Sequence, residues 1–183
     1  MRRFFTLLVA ATTATLSVVG CGSEDDSAAP GNTGGGAGAP AAAQCKGDYA
    51  ALTKEQLDAA VDSSGKCGGD DDRAVVCAND TTRKVTICGS DCFMTGGSTE
   101  VQDACVASCV ERTTSPSLSA GCIDCYVADI ACTRTNCPIV CGASPTSVGC
   151  AACRVQFGCA PDFFACSGLP GPDDLSGAAG AGN

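Results

Sequence analysis

The chain predicts a mainly α, small disulfide-rich fold of short antiparallel helical hairpins, and three observations carry that expectation. Of its 17 cysteines, 16 lie between Cys45 and Cys166, a density of about 13%, well above the level that marks a disulfide scaffold. Their spacings recur at three, four and seven residues, which sets them on one helical face. Apolar burial is thin, because there is no Trp, and beyond residue 20 the aromatics are only Tyr49, Tyr126, Phe93, Phe157, Phe163 and Phe164. Covalent loops, at roughly 2–4 kcal/mol each and not additive, are then expected to carry much of the stability.

The chain opens with Met1-Arg2-Arg3, continues as an apolar run through Phe4-Phe5-Thr6-Leu7-Leu8-Val9-Ala10-Ala11, and closes that segment with Val18-Val19-Gly20-Cys21. A positive n-region, an apolar h-region and small residues before a single cysteine resemble a bacterial lipoprotein signal. The resemblance implies a signal peptide over residues 1–20, cleavage, lipid on the Cys21 thiol, and export to an oxidising compartment. The alternative is an uncleaved transmembrane helix over residues 4–20, at the lower edge of spanning length and interrupted by Thr6, Thr12, Thr13, Thr15 and Ser17. Gly22, where such lipoproteins retained at the inner membrane carry Asp, implies an outer-membrane destination. Acylation of this type gives firm attachment.

Cleavage removes Arg2 and Arg3 and no acid, leaving 9 basic against 20 acidic residues, a net charge of −11. That charge excludes the basic stripe that nucleic acid requires, and no arginine cluster suits anionic lipid. The acidity serves solubility. Residues 21–44 are rich in Gly, Ala, Ser and Pro, with acids at Glu24-Asp25-Asp26, and read as the lipidated cysteine followed by a disordered tether. Residues 168–183 read as a disordered tail. Between them, residues 45–167 form the Cys-rich domain, with an N-terminal part over 45–92 and a helical repeat over 99–167 that share one core.

In the N-terminal part, Thr53 with Gln56 predicts a capping-box helix through Leu57 and Val61 that stops near Gly65. Arg73 to Cys88 is open between two short strands around Asn79-Asp80 and helix, since short apolar runs do not decide type. In the repeat, Cys105-x3-Cys109, Cys122-x2-Cys125 and Cys132 are echoed by Cys137-x3-Cys141, Cys150-x2-Cys153 and Cys159, at offsets of 32, 28 and 27. Each unit reads as a helix, a loop at Ser115-Pro116-Ser117 or Ser144-Pro145-Thr146, and an antiparallel helix. Thr99-Glu100-Val101-Gln102 supplies a second capping box.

Antiparallel geometry predicts nested bridges: Cys109–Cys122 inside Cys105–Cys125, and Cys141–Cys150 inside Cys137–Cys153. A zipper shifted by one helix is the rival, joining Cys88 and Cys92 to Cys105 and Cys109, and Cys122 and Cys125 to Cys137 and Cys141. Spacing leaves both open. The pattern from Cys45 to Phe163-Phe164-Ala165-Cys166-Ser167-Gly168-Leu169 resembles the Cys-rich lipoproteins found in large numbers in myxobacteria, a likeness that implies a stapled domain on a lipid anchor and no known activity.

Histidine is absent, so Ser-His and Cys-His nucleophilic devices are unavailable. The two Cys-x2-Cys pairs offer an alternative as redox dithiols or as a four-cysteine metal-thiolate site, although no strand, aromatic or proline context of a thioredoxin-like unit surrounds them. Asp70-Asp71-Asp72 lacks the alternating spacing of a calcium loop and reads as a solvated acidic turn. Asp124 and Asp129 form no obvious acid and base pair, and Asn79-Asp80-Thr81 fits a glycosylation pattern of little meaning in a bacterial host. The expected protein is non-enzymatic, uses no cofactor and no metal, and sits in the cell envelope on its lipid with an envelope or extracellular macromolecule as partner.

Overall fold

Thr53 starts the first helix by a reciprocal cap. Its hydroxyl accepts from the Gln56 amide at 3.3 Å while the Gln56 side chain accepts from the Thr53 amide at 2.8 Å, and α1 runs Lys54–Ala60. The computed structural model describes residues 43–114 and 116–178, with side chains as far as Leu175. The signal, Cys21, the tether to residue 42 and residues 179–183 lie outside the described residues. After a 3-10 turn at Gly47–Tyr49 and α1 come α2 Asp70–Ala78, α3 Thr81–Met94, α4 Thr99–Thr113, α5 Ala120–Asn136, α6 Pro138–Ala143, α7 Val148–Gln156, α8 Cys159–Ser167 and α9 Pro172–Ala178. Among the described residues the one β feature is an isolated antiparallel bridge between Gln44 and Thr53.

The stretch from Arg73 to Cys88 is helical, so the strand reading is overturned. Asn79-Asp80 divides two helices: Asn79 ends α2, and the Asp80 carboxylate accepts from the Arg83 amide at 3.3 Å to start α3. The cap of α4 is Ser98, one residue before the Thr99 box expected. Its hydroxyl, bonded to Glu100, holds that carboxyl below its usual range.

Two nested ladders of disulfides organise these helices. In the first, α3 and α4 are joined by Cys88–Cys109 and Cys92–Cys105, separated by 21 and 13 residues and symmetric about the Ser98-Thr99 bond. In the second, α5 and α6 fold back on α7 and α8 about Pro145-Thr146, with Cys125–Cys166, Cys132–Cys159, Cys137–Cys153 and Cys141–Cys150 at separations of 41, 27, 16 and 9. Each arm is broken once, and the breaks keep sulfur on the inner face. Residues five or six apart drift off one face of a continuous helix, and the steps from Cys132 to Cys137 and from Cys153 to Cys159 are of those lengths. One break lies at Cys137-Pro138; the other is at Gly158, whose φ of +80° ends α7 and starts α8.

The nested pairing expected in the first repeat unit does not form. Cys109 bonds Cys88 instead of Cys122, and Cys105 bonds Cys92 instead of Cys125. The rival zipper holds only in that half, because Cys122 bonds Cys67 and Cys125 bonds Cys166, leaving neither for Cys137 or Cys141. The cysteine stripe of α4 serves a single neighbour, and α4 meets α5 through other groups such as the Arg134–Asp103 ion pair at 3.0 Å. The repeat in sequence is therefore not a repeat in bonding.

One core holds the N-terminal part and the repeat together: Leu57, Val75, Val76, Val85, Val106, Val110, Ile123 and Tyr126 are buried alongside Cys45, Cys67, Cys77, Cys88 and Cys122. A second, smaller cluster has only Cys137, Cys141 and Cys150, with Cys153 against it. The acidic run is the first turn of α2 and not a solvated turn throughout, since Asp72 is buried and accepts from the Ser119 amide at 2.6 Å and hydroxyl at 2.7 Å. The carboxylate thus fixes the entry of α5, whose Cys122 amide is capped by the same hydroxyl.

Ordered chain reaches further than expected at both ends. The Ala43 carbonyl accepts from the Lys54 amide at 3.2 Å, so Ala43 and Gln44 belong to the folded part. Residues 168–178 are not a disordered tail. Amides of Asp62, Lys66 and Cys67 donate to the carbonyls of Gly168, Cys166 and Ser167 at 2.8, 2.9 and 2.9 Å, Leu169 is buried, and the Tyr49 hydroxyl donates to the Pro170 carbonyl at 3.3 Å. Gly168 has a φ of +75°, and a Cβ there or on Gly65 would strike the opposing backbone. Both positions need glycine.

Two outcomes test this architecture by urea unfolding. Cys67→Ala with Cys122→Ala opens a 55-residue separation and is expected to lower stability by ~4 kcal/mol, against ~2.5 kcal/mol or less for Cys141→Ala with Cys150→Ala, whose 9-residue loop lies inside a retained bridge. Gly65→Ala is expected to lower it by about 2 kcal/mol or more through loss of the C-terminal seam.

Candidate functional site

A groove of about 530 Å³ opens between α3, α5 and the α6–α7 turn. One face of α3, carrying Thr82, Thr86, Gly89 and Ser90, makes one wall, and its neighbouring face places Cys88 and Cys92 in the core. Gly89 marks the close approach of α3 to α5, since a Cβ there would meet Ile130 at 2.9 Å. Tyr126 and Phe163, with ring centroids 4.8 Å apart, line the groove with Val85 and Ile130. Phe93 and Met94, 53% and 82% exposed, extend the apolar surface outward. Pro138, Pro145 and the Cys141–Cys150 bridge complete the wall on the turn.

Within this apolar surround sits a buried ion pair, and Arg134, paired with Asp103, also lines the wall. Arg154 donates through Nη2 to Asp129 Oδ2 at 2.7 Å, and Asp129 is only 8% exposed. Three atoms of the cluster have no hydrogen-bond partner among the described residues and are closed to solvent: Asp129 Oδ1, Thr133 Oγ1 and Arg154 Nε. An unpartnered buried donor or acceptor costs about 1–3 kcal/mol, so their coincidence in one groove calls for explanation. Burial pushes the Asp129 carboxyl up from its ordinary range, opposed by the charge and hydrogen bond of Arg154. Burial also raises the Tyr126 phenol, with smaller contributions from Tyr49 and nearby acids.

Few of the residues singled out from sequence meet here. Cys137, Cys141 and Cys150 line the groove with their sulfurs bonded. Cys105 and Cys109 belong to the α3–α4 ladder, and Cys21 lies outside the described residues. The paired sulfurs of a redox dithiol bond one another, whereas Cys122 and Cys125 bond Cys67 and Cys166, and Cys150 and Cys153 bond Cys141 and Cys137. Asp124 is exposed on α5 while Asp129 is buried, so the two do not act together. Sequence reasoning missed Thr133 and Arg154 and gave Asp129 no role. A signal was present: Cys122, Cys125, Asp129 and Thr133 follow the spacing of one helical face, which puts a carboxylate where the sequence buries sulfur.

The raised Asp129 carboxyl sets a sign for pH dependence. The folded chain retains a proton there after the unfolded chain, at about 3.9, has released its own. Its stabilising contribution is complete below that value and is lost as pH rises through the folded pKa. Asp129→Asn cannot titrate, so wild type is expected to lose stability relative to Asp129→Asn as pH rises from about 3 to about 7, read as urea midpoints. No family model matches this chain, and no curated protein or solved structure proved similar to it.

Proposed function

We propose that this chain is a lipid-anchored cell-envelope protein, held at the outer membrane through Cys21, whose disulfide-stapled domain acts as a non-enzymatic binding module. Supporting this reading is the cysteine count: all 16 cysteines from Cys45 to Cys166 are joined in eight bridges. That number of bridges belongs to an oxidising compartment, and the seventeenth cysteine stands where a lipoprotein signal places its acylated residue. The helical domain supplies a preformed groove and a surface of net negative charge, and the intervening segment supplies reach.

Cys21→Ser is expected to move the protein from the membrane to the soluble fraction, and retention through an uncleaved N-terminal helix refutes the anchor. Intact mass of the membrane-purified protein, alkylated under non-reducing denaturing conditions, is expected to show acylated Cys21 and no alkylated thiol. Two or more alkylated thiols overturn the fully bridged scaffold.

A further inference from the structure

We propose that the groove between α3 and α5 binds a neutral amphiphile: an apolar chain ending in a head that both donates and accepts a hydrogen bond, as a primary alcohol does, seated against the Asp129–Arg154 pair. The inference rests on the binding-module reading above and names the chemical class of its ligand.

Charge selects the head. Asp129 and Arg154 neutralise one another at 2.7 Å, and Arg134 on the same wall is neutralised by Asp103 at 3.0 Å, so an anionic head would face the Asp129 carboxylate and a cationic head the Arg154 guanidinium, each with little water to screen it. Hydrogen bonding then specifies what a neutral head must carry. Asp129 Oδ1 is an acceptor without a donor, Arg154 Nε a donor without an acceptor, and the Thr133 hydroxyl, one turn beyond Asp129, serves as either. A hydroxyl that donates to Asp129 and accepts from Arg154 satisfies both at once. The three atoms are closed to solvent, and the side chain of Arg154, 26% exposed, is the one that turns aside for a head to reach them.

The walls specify the body. Val85, Ile130 and Phe163 offer apolar surface along the groove, and the exposed Phe93 and Met94 continue it past the mouth. The volume of about 530 Å³ lies within the range of small-molecule sites. Disulfides fix both sides, through Cys88 and Cys92 behind α3 and through Cys141–Cys150 on the turn, so little ordering opposes entry of a chain.

The test is NMR titration of the full-length mature chain with decan-1-ol, decyl methyl ether, decanoate and decylammonium. Decan-1-ol is expected to shift the amides of Gly89, Ile130 and Thr133 and the Arg154 Nε–H saturably, with decanoate and decylammonium at least about tenfold weaker. Decyl methyl ether, whose oxygen accepts but cannot donate to Asp129, is expected to bind about tenfold more weakly than decan-1-ol, and equal binding overturns the donating head. Ser90→Phe, at an exposed position on the groove wall, is expected to abolish binding of all four while the rest of the spectrum stays folded. The proposal is overturned if decan-1-ol gives no saturable shift at these residues, if decanoate or decylammonium binds as tightly, or if Ser90→Phe leaves binding intact. Any of these leaves the anchor at Cys21 standing, because membrane fractionation reads that separately.

Discussion

Disulfide sulfur is built into the hydrophobic core of this helical domain and alone fills the smaller second cluster, and the rest of the structure depends on the register this demands. A disulfide usually needs Cα atoms within about 4.4–6.8 Å of each other, and the six ladder bridges have Cα separations from 4.7 to 6.0 Å. Antiparallel helices meet that requirement repeatedly only if their cysteines are symmetric about the turn. The first ladder obeys this about Ser98-Thr99, and the second about Pro145-Thr146 to within half a residue, Cys137–Cys153 being centred on Pro145. The α6–α7 turn is the extreme case, since α6 and α7, six and nine residues long, are too short to persist alone. Their interior is cysteine, while Ile139 and Val148 are 86% and 87% exposed.

The same register places the groove. Rotating sulfur to one face of α3 leaves the adjacent face with small residues, and Gly89 lets α5 approach there. On α5 the inner face continues from Cys122 and Cys125 through Tyr126 and Asp129 to Thr133. A carboxylate therefore sits on the buried side of a helix, where Arg154 from the other arm of the second ladder neutralises it. Cys153, next to Arg154 in sequence, is bridged to Cys137, so the guanidinium is held in place by a bond one residue away.

Much of this was legible in the residues, unevenly. Thr53 and Gln56 announced α1 because a reciprocal cap is local, and three-, four- and seven-residue cysteine spacing announced the helices because a helical face is also local. Pairing was not local. The stripe of Cys105 and Cys109 fits Cys88 and Cys92 as well as it fits Cys122 and Cys125, and only the long-range bonds Cys67–Cys122 and Cys125–Cys166 remove the second choice. The C-terminal segment was hidden by composition: Leu169 is one buried side chain among Gly, Pro and Asp, and its order comes from backbone hydrogen bonds to residues 62–67 that leave no pattern in sequence. Asp129 and Arg154 are 25 residues apart, and nothing in either neighbourhood names the other.

The bridge pattern also bears on how the chain reaches its native state. Cysteines emerge from the N-terminus in order, and an oxidant acting on that order joins each to its neighbour. Only Cys92–Cys105 and Cys141–Cys150 link cysteines adjacent in the series, and each is the innermost rung of its ladder. The remaining six span other cysteines, and Cys122, the partner of Cys67, follows Cys77, Cys88, Cys92, Cys105 and Cys109 in the chain. Oxidation alone therefore fills early positions wrongly, and maturation depends on thiolates that reopen and exchange those bonds. Connectivity of this kind is the substrate of a disulfide isomerase as well as of an oxidant, and the innermost rungs are the pairs that call on it least.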